Sequence, residues 1–140
     1  MTKPIFISGM PRSGTKLLRD ILNNHSKVSI PDSETHFIPE FIRTFGLEYD
    51  FSKENNFQAV LHRFHSTKFY LAQQKPRIEK MNFRNTNSPL TWAIFFESIL
   101  RYYGVKDEVN ARFGDKTPGY ILHLSLLQEI WPDIKMVHII

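Results

Sequence analysis

Between Gly9 and Lys16 the chain reads Gly-Met-Pro-Arg-Ser-Gly-Thr-Lys, and these residue types at this spacing point to phosphate chemistry. The apolar run Ile5-Phe6-Ile7 precedes the loop, and Leu17, Leu18, Ile21 and Leu22 follow it at helical spacing. A strand that turns through glycines into a helix start aims backbone N–H groups and the positive end of the helix dipole at one place, which suits an anion. Gly9 and Gly14 have the separation of the nucleotide-triphosphate loop G-x-x-x-x-G-K-[ST]. The order after Gly14 differs: it is Thr15-Lys16-Leu17, so the lysine arrives one place late and no hydroxyl follows it. In the triphosphate loop that lysine reaches the terminal phosphates and the hydroxyl holds magnesium. Neither role fits this order, and Arg12 puts a large cation inside the loop instead.

Pro11-Arg12-Ser13-Gly14-Thr15 after a short strand resembles the 5′-phosphosulfate loop of sulfotransferases that use 3′-phosphoadenylyl sulfate. Ile30-Pro31-Asp32-Ser33-Glu34-Thr35-His36-Phe37-Ile38-Pro39 is similar to the Glu-Thr segment of the tyrosylprotein sulfotransferases and many bacterial relatives. Gly114-Asp115-Lys116-Thr117-Pro118-Gly119-Tyr120 resembles the Lys-Thr-Pro or Lys-Asp-Pro segment of the same group. The three segments stand in the family's order and span nearly the whole chain. Two departures stand out. Lys16 replaces a second threonine that the family usually carries. The family also continues, after its next strand, into an Arg-Asp segment and a serine that hold the 3′-phosphate, whereas this sequence ends at Ile140 inside the apolar run Met136-Val137-His138-Ile139-Ile140. The expectation is the N-terminal portion of a sulfotransferase, truncated after its last strand and without the 3′-phosphate clamp, so that the isolated 140 residues turn over weakly or not at all.

The resemblance implies metal-independent, in-line transfer of a sulfuryl group from 3′-phosphoadenylyl sulfate to an acceptor hydroxyl, leaving adenosine 3′,5′-bisphosphate. Arg12 then pairs bidentately with phosphosulfate oxygens. The amides of Ser13, Gly14 and Thr15 cradle the phosphate, the Thr15 hydroxyl adds a donor, and Pro11 and Lys16 complete the loop. Lys16 either contacts phosphate as a bare charge or points to solvent. The resemblance places the general base at Glu34, with Asp32 as the competing carboxylate nearby. It makes Lys116 the cation that approaches the transferring group. A cation just before a helix start meets an unfavourable dipole, so that position asks for an anion close by. His36 is a second candidate for the acceptor cleft. Two other readings stay open: a nucleotide kinase or NTPase, and a non-catalytic nucleotide-binding fragment. Lipid, sugar, phenol and peptide hydroxyls all remain possible acceptors.

The elements that must position these residues alternate between strand and helix. Strands are expected at Ile5–Ser8, Val28–Ile30, Arg112–Asp115 and Lys135–Ile140. Helices are expected at Thr15–Asn24, at Phe37–Phe45 with Gly46 as the stop, and along Phe57, Val60, Leu61, Phe64 and Leu71. Gln73–Asn87 lacks periodicity and reads as an exposed loop, with a basic stretch at Lys75, Arg77, Lys80 and Arg84. Ser88-Pro89 reads as a capped helix start, followed by a core-facing stripe of Trp92, Phe95, Phe96, Ile99, Leu100 and Tyr103 that Gly104 closes. Thr117-Pro118 repeats that start for a helix running to about Trp131. The pattern predicts an α/β, P-loop-like parallel sheet with helices on both faces, in one incomplete domain over residues 1–140. Ligands of such sheets sit at the carboxyl ends of the strands.

Composition bounds the remaining possibilities. The 140 residues are 41% hydrophobic and 23% charged, which is ordinary for a soluble domain with a real core. Twelve phenylalanines suggest a well-filled interior or an apolar acceptor cleft. A net charge of +4 suits an anionic substrate and is too small and scattered to argue for nucleic acid. The chain has no cysteine, which excludes disulfides and thiolate metal sites. His62 and His65 lie three apart without an evident third ligand and read as surface residues. No apolar run approaches the ~20 residues of a membrane span and no signal-type segment precedes Ile5, so a cytoplasmic location is expected.

Overall fold

The structure, a computed structural model, describes residues 3–83, 89–107 and 109–140. Among them four strands form one parallel sheet in the order β2-β3-β1-β4: β1 is Ile5–Gly9, β2 Val28–Ser29, β3 Arg112–Lys116 and β4 Lys135–Ile139. Helix α1 (Thr15–Asn23) covers one face, packing Leu18 and Leu22 on Ile7, Val28 and Ile30. The other face meets α2 (Phe37–Phe45), α3 (Glu54–Phe64), the single turn α4 (Lys68–Leu71), α5 (Trp92–Tyr102) and α6 (Leu124–Ile130). An α/β parallel sheet with helices on both faces is therefore the architecture that the alternating pattern predicts.

The larger core lies on the second face and is mainly aromatic. Phe37, Phe41, Trp92 and Phe96 interlock at its centre, with Trp92 stacked on Phe96 at a centroid separation of 5.2 Å. Phe6 and Phe113 join it from β1 and β3, and Trp131 packs on both. The Trp92–Tyr103 stripe is core, as its spacing implies.

Several local expectations need correction. The apolar stripe through Phe57, Val60, Leu61 and Phe64 does not continue to Leu71: the chain breaks after Phe64, Thr67 caps α4, and Leu71 is 70% exposed. Gln73–Asn87 is not exposed throughout, because Ile78 and Phe83 are buried, Phe83 stacking on Phe95. Arg84 and Ser88 lie outside the described residues. Helix α5 starts at Trp92, after Pro89, with the Thr91 hydroxyl accepting from Ile94 N–H, so threonine does the capping. The helix expected from Thr117 is a 3₁₀ segment over Pro118–His123 that passes into α6. Thr117 does not cap it, because its hydroxyl is taken by Asp115.

Candidate active site

The turn between β1 and α1 is built from short-range constraints. Ser13 N–H donates to the Met10 carbonyl, and Met10 N–H donates to Ile139 of β4, which ties the loop to the sheet edge. Gly14 caps α1 with φ of +97°, a conformation that glycine adopts without a Cβ penalty. The first helical bond is Leu18 N–H to the Gly14 carbonyl, so the amides just before it point out of the helix end without intrahelical acceptors. Ser13 differs from expectation: its N–H is used inside the turn, and its buried hydroxyl has no partner. Ser13 itself does not line the cleft described below, and its Oγ packs against Gly9. Gly9 is tight, since a Cβ there would lie 2.8 Å from the Ile139 carbonyl and 2.9 Å from Ser13 Oγ.

The loop opens onto a cleft of about 820 Å³ at the carboxyl ends of β1 and β3. Pro11, Arg12, Gly14, Thr15 and Lys16 line one wall, and Glu34, His36, Lys116, Pro118 and Gly119 line the rest. The residues singled out from three separate segments thus share one cavity. Lys16 lines it, and its side chain is exposed. Asp32 does not line it; its side chain is exposed and its backbone carbonyl accepts from Arg19 Nη1 at 2.6 Å. Arg19, buried on α1, is a residue that helical spacing alone did not single out, and it pins the segment leading to Glu34.

Glu34 sits between two partners. Lys116 Nζ donates to its Oε1. His36 Nε2 lies 2.8 Å from its Oε2, with the imidazole largely exposed. Partial burial raises the Glu34 carboxyl, but the hydrogen bond and charge of Lys116, helped by His36, outweigh it and hold Glu34 below its usual range. Lys116 is buried with only 8% of its side chain exposed, so the anion that its place before Pro118 called for is Glu34. Among the described residues, the non-glycine residues with positive φ are Arg12, at 63°, and His36, at 56°. Both line this cleft, and strained backbone of this kind gathers at functional sites.

Behind the Glu34–Lys116 pair lies a buried polar cluster that reading along the sequence passed over. Asp115 is fully buried, and its Oδ2 accepts from Thr35 Oγ1 at 3.0 Å and Thr117 Oγ1 at 2.7 Å. Thr35 N–H donates to Thr117 Oγ1, and Tyr120 OH lies 2.7 Å from Thr35 Oγ1. Burial pushes the Asp115 carboxyl up to about 6 against the lowering effect of the two threonine hydroxyls. The available signal was Asp115 and Thr117 two apart at a strand end: such residues share a face, and a buried carboxylate requires donors. His62 and His65 form no paired site; Arg77 donates to the His65 ring instead.

A parallel sheet with a glycine loop feeding a helix start, cations on the loop and a carboxylate–lysine pair opposite defines an α/β protein of P-loop-like architecture. The profile of the Sulfotransferase family matches residues 4–140, and the chain belongs to that family. It is also 26% identical over 139 residues, 98% of its own length, to an uncharacterized protein of Aquifex aeolicus (strain VF5). The chain spans 15% of the length of that relative. Among the described residues no helix is long and apolar enough to cross a membrane.

Proposed function

We propose that this chain carries the phosphosulfate-binding loop and the proton-transfer pair of a sulfotransferase that uses 3′-phosphoadenylyl sulfate and an acceptor hydroxyl. The supporting observation is the cleft that Arg12, Lys16, Glu34 and Lys116 share. Its residues suit such a donor: outward amides at the α1 start and the three cations Arg12, Lys16 and Lys116 match a dense group of anionic oxygens. When bound, the donor supplies an activated sulfuryl group next to a phosphate.

The protein residues divide the remaining work. Arg12, Lys16 and the α1 amides hold and neutralise the anionic end, which is positioning and charge stabilisation of the kind that dominates group transfer. Glu34 accepts the proton of the acceptor hydroxyl. Lys116 keeps that carboxylate ionised, at the cost of some basicity, and is close enough to offset charge on the transferring group. A lysine in this place does electrostatic work that a triphosphate loop assigns to magnesium. The acceptor belongs to the open side of the cleft, beside His36, Pro118 and Gly119.

Transfer of labelled sulfate from 3′-phosphoadenylyl sulfate to a panel of phenolic, sugar and lipid alcohols tests the reading. Glu34→Gln is expected to lower turnover by roughly 10²- to 10⁴-fold, the usual worth of a general base, with the fold retained by circular dichroism. Arg12→Ala is expected to weaken donor binding and turnover together. Calorimetry separates the kinase-like alternative: adenosine 3′,5′-bisphosphate should bind without metal and more tightly than ATP with magnesium. The reverse order of affinity would reject a sulfuryl donor.

A further inference from the structure

Glu34 and Lys116 line the cleft, and the backbone that carries each is tied down behind it. Each is the chain neighbour of a buried hydroxyl or carboxylate: Thr35 follows Glu34, and Asp115 and Thr117 flank Lys116. Those neighbours face inward and bind one another across the gap between the β2–α2 segment and the end of β3. The donor directions are consistent throughout. Thr35 and Thr117 hydroxyls both donate to Asp115 Oδ2, which leaves the Thr117 oxygen free to accept Thr35 N–H and the Thr35 oxygen free to accept from Tyr120. Tyr120 OH in turn accepts Ile38 N–H at 3.2 Å, which extends the chain of bonds to the first turn of α2. Two segments about 80 residues apart in sequence are thereby aligned, so that the outward-facing residues of each must meet.

We propose that Asp115, Thr35 and Thr117 are positioning residues that set the Glu34–Lys116 pair, through a carboxylate acceptor whose protonation loosens the alignment; the inference rests on that pair being the working pair of the site. Hydrogen bonds to an ionised acceptor are about twice as strong as neutral ones, so Asp115 grips both hydroxyls best as the anion. The proton goes to Oδ1, which is buried without a donor, and Oδ2 then accepts the two hydroxyls only as a neutral carbonyl oxygen. With the Asp115 carboxyl raised to about 6, the loosening falls within an accessible range. The titratable groups that act on Asp115 are Tyr120, within the cluster, and His36 on the α2 side, while Glu34, Lys116, Arg12 and Lys16 line the cleft beyond it.

Carboxyl-carbon NMR of Glu34 against pH, measured alongside sulfate transfer from 3′-phosphoadenylyl sulfate, tests the proposal. In the wild-type protein Glu34 should titrate below 4.5 and its signal should show a second, smaller inflection near pH 6 as Asp115 takes a proton. Asp115→Asn keeps an oxygen for the two threonines and should abolish the second inflection. Thr35→Val should move the Glu34 titration upward as Lys116 loses its alignment, and should cut kcat by about 10²-fold with the donor KM little changed. Thr35→Ser should restore both. A wild-type Glu34 signal without any inflection near pH 6, or a folded Thr35→Val protein with an unaltered Glu34 titration, overturns the proposal. Should Thr35→Val fail to fold, the wild-type titration decides alone. NMR behaviour as expected together with tighter binding of ATP with magnesium than of adenosine 3′,5′-bisphosphate would reject the sulfuryl reading and leave the alignment standing.

Discussion

Lys116 and Asp115 are chain neighbours that solve the problem of burial differently. Lys116 has the Glu34 carboxylate against its Nζ. Asp115 faces inward, is bonded by the Thr35 and Thr117 hydroxyls, and its carboxyl rises to about 6 because burial outweighs them. The consequence for stability has a definite sign. A native carboxyl raised above its ordinary 3.8 binds more protons than the unfolded one between those two values, so stability falls as pH rises from about 4 to about 6 and stays reduced above. Asp115→Asn removes that titration. The variant should unfold at a higher urea midpoint than wild type at pH 7, by up to about 3 kcal/mol since one unit is worth about 1.4 kcal/mol, and the gap should close near pH 4. A gap that persists unchanged at pH 4 would place the effect elsewhere. Glu34 works in the opposite sense: its lowered carboxyl favours the fold above the ordinary range and withdraws that support as pH falls through the folded value.

At the scale of elements, the anion-binding geometry belongs to the β1–α1 turn as a unit. Gly9 is needed for close approach and Gly14 for its left-handed φ, and between them Arg12 is held at a φ of 63° that an arginine rarely adopts. β4 takes part although none of its side chains lines the cleft, because the Ile139 carbonyl fixes Met10. Gly9→Ala should therefore damage binding more than folding. Its Cβ would meet Ile139 O, Ser13 Oγ and Thr15 Cγ2 within 2.9 Å and push the turn off the sheet edge. Calorimetric titration with adenosine 3′,5′-bisphosphate should lose most of its heat while thermal unfolding remains a single transition. Full-strength binding in that variant would show that the turn tolerates displacement.

At the scale of the whole molecule, eleven of the twelve phenylalanines are buried and Phe45 packs against them. Phe37, on α2 two residues past Thr35, contacts Phe41, Phe64, Phe69 and Phe96, so the helix following the Glu34 segment is locked to α3, α4 and α5 at once. Phe96 is fully buried between α2, Trp92 and Trp131. Phe96→Ala should cost about 3–5 kcal/mol, read as a fall in urea midpoint with unchanged slope, the usual price of a large core cavity. Because the site rests on this core through α2, the same variant should lose Glu34-dependent activity at temperatures where it is still folded. Equal specific activity of the folded fraction would separate core from site.

The order Gly9 to Thr15, the Glu34-Thr35 pair and the Asp115-Lys116-Thr117 run are local patterns, and with the alternation of strand and helix they were enough to state the sheet, its loop and three of the site's charged residues. Local patterns suffice there because a glycine loop and an amphipathic period are properties of neighbouring residues. Other features depend on contacts between residues far apart in the chain. That Ile78 and Phe83 would be buried in an aperiodic stretch, that Thr117 would hold Asp115 instead of capping a helix, and that Ser13 would use its N–H within the turn all follow from partners supplied by folding. The Glu34–Lys116 pair is the clearest case: its members are 82 residues apart, and only parallel packing of β3 beside β2, with Thr35 bonded across to Asp115, brings one charge within reach of the other.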